Sequence, residues 1–120
     1  MKKKTLVIGA SEKADRYSNM AVKKLVAHQH EVIAIGNKEA LINNTQIVKD
    51  KPSITDVDTV TLYLNPTNQI PYYDYILSLN PKRIIFNPGT ENEVLEKLAS
   101  ANGIKTMNAC TLVLLSTNQY

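Results

Sequence analysis

The sequence is poor in the residues that usually carry chemistry. It has one cysteine, two histidines and four glycines in 120 residues. A lone Cys110 has no partner for an internal disulfide, which fits a reducing compartment. His28 and His30 stand two apart, a spacing that does not bring them together on a helix, and no cysteine is near them, so no metal site is expected. Long apolar runs are missing too. Met1-Lys2-Lys3-Lys4 looks like the basic start of a signal peptide, but the run Leu6–Ile8 is closed at once by Gly9 and a charged loop, and no later segment reaches membrane-spanning length. A cytoplasmic protein without a membrane role is the expectation. The net charge of +3 is small, and no basic stripe with interleaved aromatics argues for nucleic acid. It suits a small polyanionic ligand equally well.

What is present is an alternation of short apolar runs and amphipathic stretches. At 43% hydrophobic content the chain suffices for one core, so residues 1–120 are read as a single domain. Thr5–Gly9 reads as a buried strand. Ser18–Gln29 reads as a helix with Ala21, Val22, Leu25 and Val26 on one stripe and Ser18 as N-cap. Glu31–Ile35 reads as a second strand, which completes a βαβ unit. Gln46–Val48 is a short edge-strand candidate and Thr59–Leu64 a clear strand. A helix over Gln69–Leu79, with Tyr72, Tyr75, Ile76 and Leu79 on one side, precedes a strand at Arg83–Phe86. Thr90-Glu91-Asn92-Glu93 matches a capping box for a helix to about Asn102, with Gly103 as its stop. Ile104–Met107 is the last strand and Cys110–Leu115 a short terminal helix. The expected fold is α/β: a Rossmann-like, doubly wound, mainly parallel sheet of about five strands flanked by helices.

In such a sheet the ligand lies beyond the carboxyl ends of the strands. Small, polar or turn-forming residues follow each strand there: Gly9-Ala10-Ser11, Gly36-Asn37-Lys38, Asn65-Pro66-Thr67 and Asn87-Pro88-Gly89-Thr90. The first loop lacks the three glycines of a dinucleotide fingerprint. Gly9 supplies the turn, Ala10 and Ser11 keep side chains small near the backbone amides, and Lys13, Arg16 and Ser18 add two cations and a hydroxyl for a diphosphate. The alternative is a plain βα turn with solvated charges. At the second loop an NAD protein normally carries an acid for the ribose hydroxyl. Asn37 and Lys38 stand there instead, which favours a ribose bearing an extra phosphate, as in NADP or coenzyme A. An ordinary surface lysine is the alternative.

The blocks "VIGAS...DRYSNMAVKKL", "HEVIAIGNKE", "IIFNPGTENEVLEKLASANGI" and "ACTLVLLSTNQY", in that order, resemble the small CoA-binding proteins. These are stand-alone relatives of the nucleotide domain of the succinyl-CoA synthetase α subunit. The resemblance implies that Gly9, Ala10, Ser11, Arg16 and Ser18 hold the coenzyme diphosphate and that Asn37 and Lys38 lie near the ribose phosphate. It further implies that Asn65, Pro66, Asn87, Pro88 and Gly89 line the rest of the cleft. Gln29-His30 departs from the His-Gly or Gly-His of family members, at the helix end and away from the proposed site.

The histidines are expected at the helix end facing away from the ligand. Cys110 reads as a small buried residue, with proximity to the coenzyme thiol as the alternative. Tyr63 is a candidate for stacking on an adenine, whereas Tyr72, Tyr73 and Tyr75 read as packing. No catalytic residue is assigned. The expected function is non-catalytic binding of coenzyme A or an acyl-CoA, with two alternatives: an NADP-binding oxidoreductase, or a nucleotide-binding subunit of a larger CoA ligase. A protein partner or a homodimer is compatible with either.

Overall fold

A computed structural model describes residues 2–120. Its centre is a sheet of seven strands: β1 (Thr5–Ile8), β2 (Val32–Ile35), β3 (Ala40–Ile42), β4 (Thr45–Val48), β5 (Thr59–Leu62), β6 (Arg83–Phe86) and β7 (Lys105–Asn108), in the order β3-β4-β2-β1-β5-β6-β7. All neighbours are parallel except the β3–β4 pair. The helices are α1 (Tyr17–Ala27), α2 (Pro66–Gln69), α3 (Tyr73–Leu79), α4 (Glu93–Ala101) and α5 (Thr111–Ser116).

Alternation along the central strands sorts the core into two layers. Leu6, Ile8, Val60, Leu62, Ile84 and Phe86 pack beneath Ile76 of α3 and Leu95 and Ala99 of α4. Val7, Ala34 and Ile47 face the other way and are covered by Val22 and Leu25 of α1 and Leu115 of α5. Strands buried on both faces read as near-continuous apolar runs, which is why β1 and β6 are plain in the sequence, whereas β5 alternates threonine with Val60 and Leu62 and buries its threonines too. Tyr72, Tyr73 and Tyr75 pack against the first layer.

The structure corrects the expected elements in four places. The strand at Gln46–Val48 is not an edge: β3 covers it, joined through Asn43, which takes φ 52°. Three residues long and with Leu41 exposed, β3 has no buried periodicity to betray it, so the sheet holds seven strands rather than about five. The helix expected over Gln69–Leu79 is interrupted by a 3-10 turn at Ile70–Tyr72, where Pro71 lacks the amide hydrogen an α-helix needs. The N-cap of α1 is Arg16, not Ser18, which is buried inside the first turn. In α4, Asn92 rather than Thr90 is the N-cap, accepting from the amides of Val94 and Leu95 at 3.1 and 3.2 Å.

The C-terminus of α1 shows why Gln29 breaks the helix. Gln29 is left-handed (φ 67°), its amide bonds the Val26 carbonyl, and the His30 amide reaches back to Leu25, the paired bonds of a Schellman turn. His30 then sits at the amino edge of the sheet, its Nδ1 accepting the Lys3 amide at 2.9 Å and its ring 4.9 Å from that of Tyr120. Arg83 lies over the other ring contact, 4.4 Å from the Tyr120 centroid, and donates through Nε to Thr59 at 2.7 Å.

Burial, followed by the nearby charges of His28, Lys2 and Lys3, lowers the His30 pKa below the ordinary 6.5. The folded chain therefore takes up this proton at lower pH than the unfolded chain does. The stability that neutral His30 contributes is complete above about pH 6.5 and is lost as pH falls through the folded value. Urea unfolding at pH 7.5 and pH 5 is expected to show lower stability at pH 5, with a smaller difference in His30→Gln; an equal difference in both proteins would dismiss His30 as its source.

Candidate functional site

Counting only the parallel strands, the sheet order is that of a dinucleotide-binding fold, with β1 flanked by β2 on one side and β5 on the other. The connections after β1 and β5 leave toward opposite sides, and a crevice opens between them. A cleft of about 680 Å³ occupies this place.

Its floor is built by backbone. The Ile35 carbonyl accepts from the amides of both Gly9 and Ala10, each at 2.9 Å, which folds the first loop over the end of β2. Gly9 has φ 97°, and a Cβ there would lie 2.9 Å from the Tyr63 carbonyl carbon. Gly36 is needed for a different reason. A Cβ at Gly36 would come within 2.3 Å of the Ala10 carbonyl oxygen, so the second loop nests on the first only because that side chain is absent. Asn19, buried in α1, donates through Nδ2 to the Ser11 carbonyl at 3.0 Å and ties the loop to its helix. Ser11 Oγ turns inward to accept the Lys13 amide at 3.1 Å.

The far wall depends on Gln69, which is fully buried. Its Nε2 donates to the carbonyls of Leu64 and Thr90, both at 2.8 Å, and its Oε1 accepts from Asn92 at 2.8 Å. One side chain thus joins the loop after β5 to the loop after β6. Asn87 works in the same region from below. It donates to Thr61 Oγ1 and the Leu62 carbonyl and accepts the Thr111 amide at 2.9 Å.

Of the residues picked out in the sequence, the structure brings Gly9, Ala10, Ser11, Lys13, Arg16, Ser18, Asn37, Lys38, Asn65, Pro88 and Gly89 together in the cleft lining. Pro66 and Asn87 are not in it: Pro66 opens α2, and Asn87 is consumed by the supporting bonds just described. The lining also includes Glu12, Tyr17, Tyr63, Leu64 and Thr90. Glu12 and Tyr17 share the first loop and helix start with residues already noted, so proximity to Ser11 and Arg16 was the available signal. Gln69 had none, because a polar residue in a helix reads as solvated. Cys110 is half-buried at the N-cap of α5 and does not line the cleft. His28 and His30 border a separate hollow at the opposite edge, with Lys3 and Tyr120.

The electrostatics are mixed but lean positive. Lys13, Arg16 and Lys38 contribute three cations, Glu12 one carboxylate, and Lys38 Nζ meets Glu12 Oε1 at 2.7 Å. The start of α1 adds to them. Asn65 and Asn92 cap α2 and α4, but no side chain caps the first turn of α1, and no acidic residue lies in it. That turn keeps amide hydrogens and the positive end of the helix dipole available at the cleft. Burial pushes the Tyr63 phenol up to about 12, so it forms a neutral wall at physiological pH. Among the described residues there is no group of three or more His, Cys, Asp or Glu side chains placed to hold a metal ion, and no helix long and apolar enough to cross a membrane.

Two of the loop glycines, Gly36 and Gly89, make different demands. Gly36→Ala is expected to cost about 2–4 kcal/mol by forcing backbone apart. In Gly89→Ala the new methyl has open space but sits at φ 91°, and about 1–2 kcal/mol is expected. Urea unfolding of the two variants checks this order; a Gly36→Ala protein as stable as the wild type would disprove the close approach.

Residues 3–116 match a protein-family model described as CoA binding domain. No curated protein matches the chain. Among solved structures, an uncharacterized protein shares 50% identity at a TM-score of 0.97, covering 100% of this chain and 99% of its own. A hypothetical protein from Pyrococcus horikoshii OT3 shares 24% identity at a TM-score of 0.86, with 97% of this chain and 83% of that one covered. A dinucleotide-forming acetyl-coenzyme A synthetase from Ca. Korarchaeum cryptofilum, in complex with phosphate and ADP, shares the fold at 14% identity and a TM-score of 0.70. That match covers 90% of this chain and 26% of the synthetase.

Proposed function

The chain belongs to the CoA binding domain family, and from that premise we propose that it binds coenzyme A or an acyl-CoA, without catalysis, in the cleft at the carboxyl ends of β1, β2, β5 and β6. The observation that carries the reading is the start of α1. An uncapped helix N-terminus opens into the cleft beside Lys13 and Arg16, on a loop whose small residues let a ligand reach the backbone. This is what a diphosphate requires: amide donors, a favourable dipole and cations, with no side chain in the way. Gly9 and Gly36 lack the side chains that would collide with Tyr63 and Ala10, and so let the loops pack into the shape of this cleft.

Lys38 supplies the second half of the reading. It stands in the second loop, where a phosphorylated ribose would lie, and gives coenzyme A an advantage over ligands with an unmodified ribose. Binding rather than chemistry is supported by the ionisable groups that line the cleft. Burial holds the Tyr63 phenol neutral, so it is not poised as a general base near neutral pH. Leu64 and the exposed ring of Tyr17 offer apolar surface for the pantetheine or an acyl chain.

Isothermal titration with CoA, acetyl-CoA, dephospho-CoA, NADP and NAD tests the reading. CoA and acetyl-CoA are expected to bind tightest, dephospho-CoA about tenfold more weakly and NAD most weakly, a tenfold step being about 1.4 kcal/mol. NADP binding tighter than CoA would transfer the assignment to a nicotinamide coenzyme, and heat from none of the five would remove it. Arg16→Ala is expected to weaken CoA binding by about five- to tenfold with an unchanged melting temperature. Unchanged affinity would take Arg16 out of the site.

A further inference from the structure

Glu12 and Lys38 come from different loops and meet at the cleft, Oε1 to Nζ 2.7 Å apart. Their side chains are 42% and 78% exposed, so water and salt compete with the pair and its hold is weak. Glu12 is the one carboxylate among the described residues of the cleft lining, where it opposes three cations. It also follows directly on Ser11, in the loop that leads to the uncapped start of α1. An acid in that position works against any polyanionic ligand. Lys38, meanwhile, is the cation assigned above to the ribose phosphate, and its ammonium is already engaged.

Resting on the coenzyme reading, we propose that Glu12 is an exchangeable counter-ion for Lys38 and thereby sets how strongly the cleft distinguishes a phosphorylated ribose from an unphosphorylated one. Without ligand the carboxylate occupies the ammonium. A phosphomonoester carries nearly two charges and three acceptor oxygens near neutral pH, and it displaces a single exposed carboxylate from the same ammonium. A ligand whose ribose carries no phosphate leaves the pair intact. The cost of parting the pair therefore falls only on the phosphorylated ligand, and Glu12 moderates the preference that Lys38 creates. While the pair is formed, the hydrogen bond to Glu12 and the charge of its carboxylate raise the lysine pKa and keep the ammonium protonated.

The test is a titration of CoA and dephospho-CoA into the wild type, Glu12→Gln, Lys38→Met and the double variant. Glu12→Gln is expected to bind CoA about three- to tenfold tighter, to gain clearly less for dephospho-CoA, and to lose the excess gain in the Lys38→Met background. Raising the salt should shrink the gain. An equal gain for both ligands, or a CoA gain that survives Lys38→Met, would show that Glu12 only repels anions at large and would overturn the exchange. A wild type that binds CoA while Glu12→Gln binds it no tighter would overturn the counter-ion role alone. Failure of the wild type to bind either ligand would instead overturn the coenzyme reading on which the proposal stands. The pair is exposed, so melting temperatures within a degree or two of the wild type are expected for all three variants and confirm that affinities are being compared between folded proteins.

Discussion

The site depends on how closely the first two loops approach each other at the ends of β1 and β2. One carbonyl, that of Ile35, holds the amides of Gly9 and Ala10, and the next residue, Gly36, has the Ala10 carbonyl where a side chain would otherwise be. The contact orients everything that follows it in both directions. It directs Ser11 toward Asn19 and so sets where α1 begins, and it brings Lys38 within reach of Glu12. No large side chain takes part, and because the Gly9 and Ala10 amides are spent on the contact itself, the main-chain donors that remain lie further on, at the uncapped start of α1.

The remaining walls are held by buried polar side chains rather than by apolar packing. Gln69, Asn92 and Asn87 have their principal donors and acceptors matched inside the protein, so they rigidify the loops after β5 and β6 without leaving unpaired polar atoms. α1 is treated differently from α2 and α4. Its first turn has no capping side chain, a local loss of stability of the kind that functional sites often carry and that the surrounding fold must offset. At the other end of the same helix the carbonyls of Lys24, Leu25 and Val26 are bonded by the amides of His28, His30 and Gln29 in the Schellman turn. The helix is thus closed at the amino edge of the sheet and open at the carboxyl edge.

Much of this was legible in the sequence, and particular residues show where legibility stops. β1 and β6 are mostly apolar on both faces, β5 alternates threonine with apolar residues, and all three are bounded by turn residues, so pattern and punctuation agree. Gly103 ends α4 as its position suggested, with φ 76°. The hairpin strand β3 was invisible because three residues with an exposed leucine carry no period, and Pro71 was read inside a helix although its missing amide hydrogen breaks the bonding there. Thr90 and Glu93 fit a capping box in spacing, but Asn92 sits closer to the helix start and the Thr90 hydroxyl is already donated to Asn87 at 2.8 Å. Local patterns allow several caps, and tertiary contacts select one.

Strand periodicity and the small or charged residues directly after each strand are enough to give the α/β class, the carboxyl edge as the place of the cleft and most of the residues that line that cleft. The folded chain adds what spacing does not hold: Gln69 and Asn87 brace the loops from inside, α1 starts uncapped, Gly36 is required by the Ala10 carbonyl, and Lys38 is paired with Glu12. Each of these is a contact between groups far apart in the chain or on separate loops. Residue spacing encodes what a segment does on its own, and it holds no record of which carbonyl, amide or carboxylate folding will bring against it.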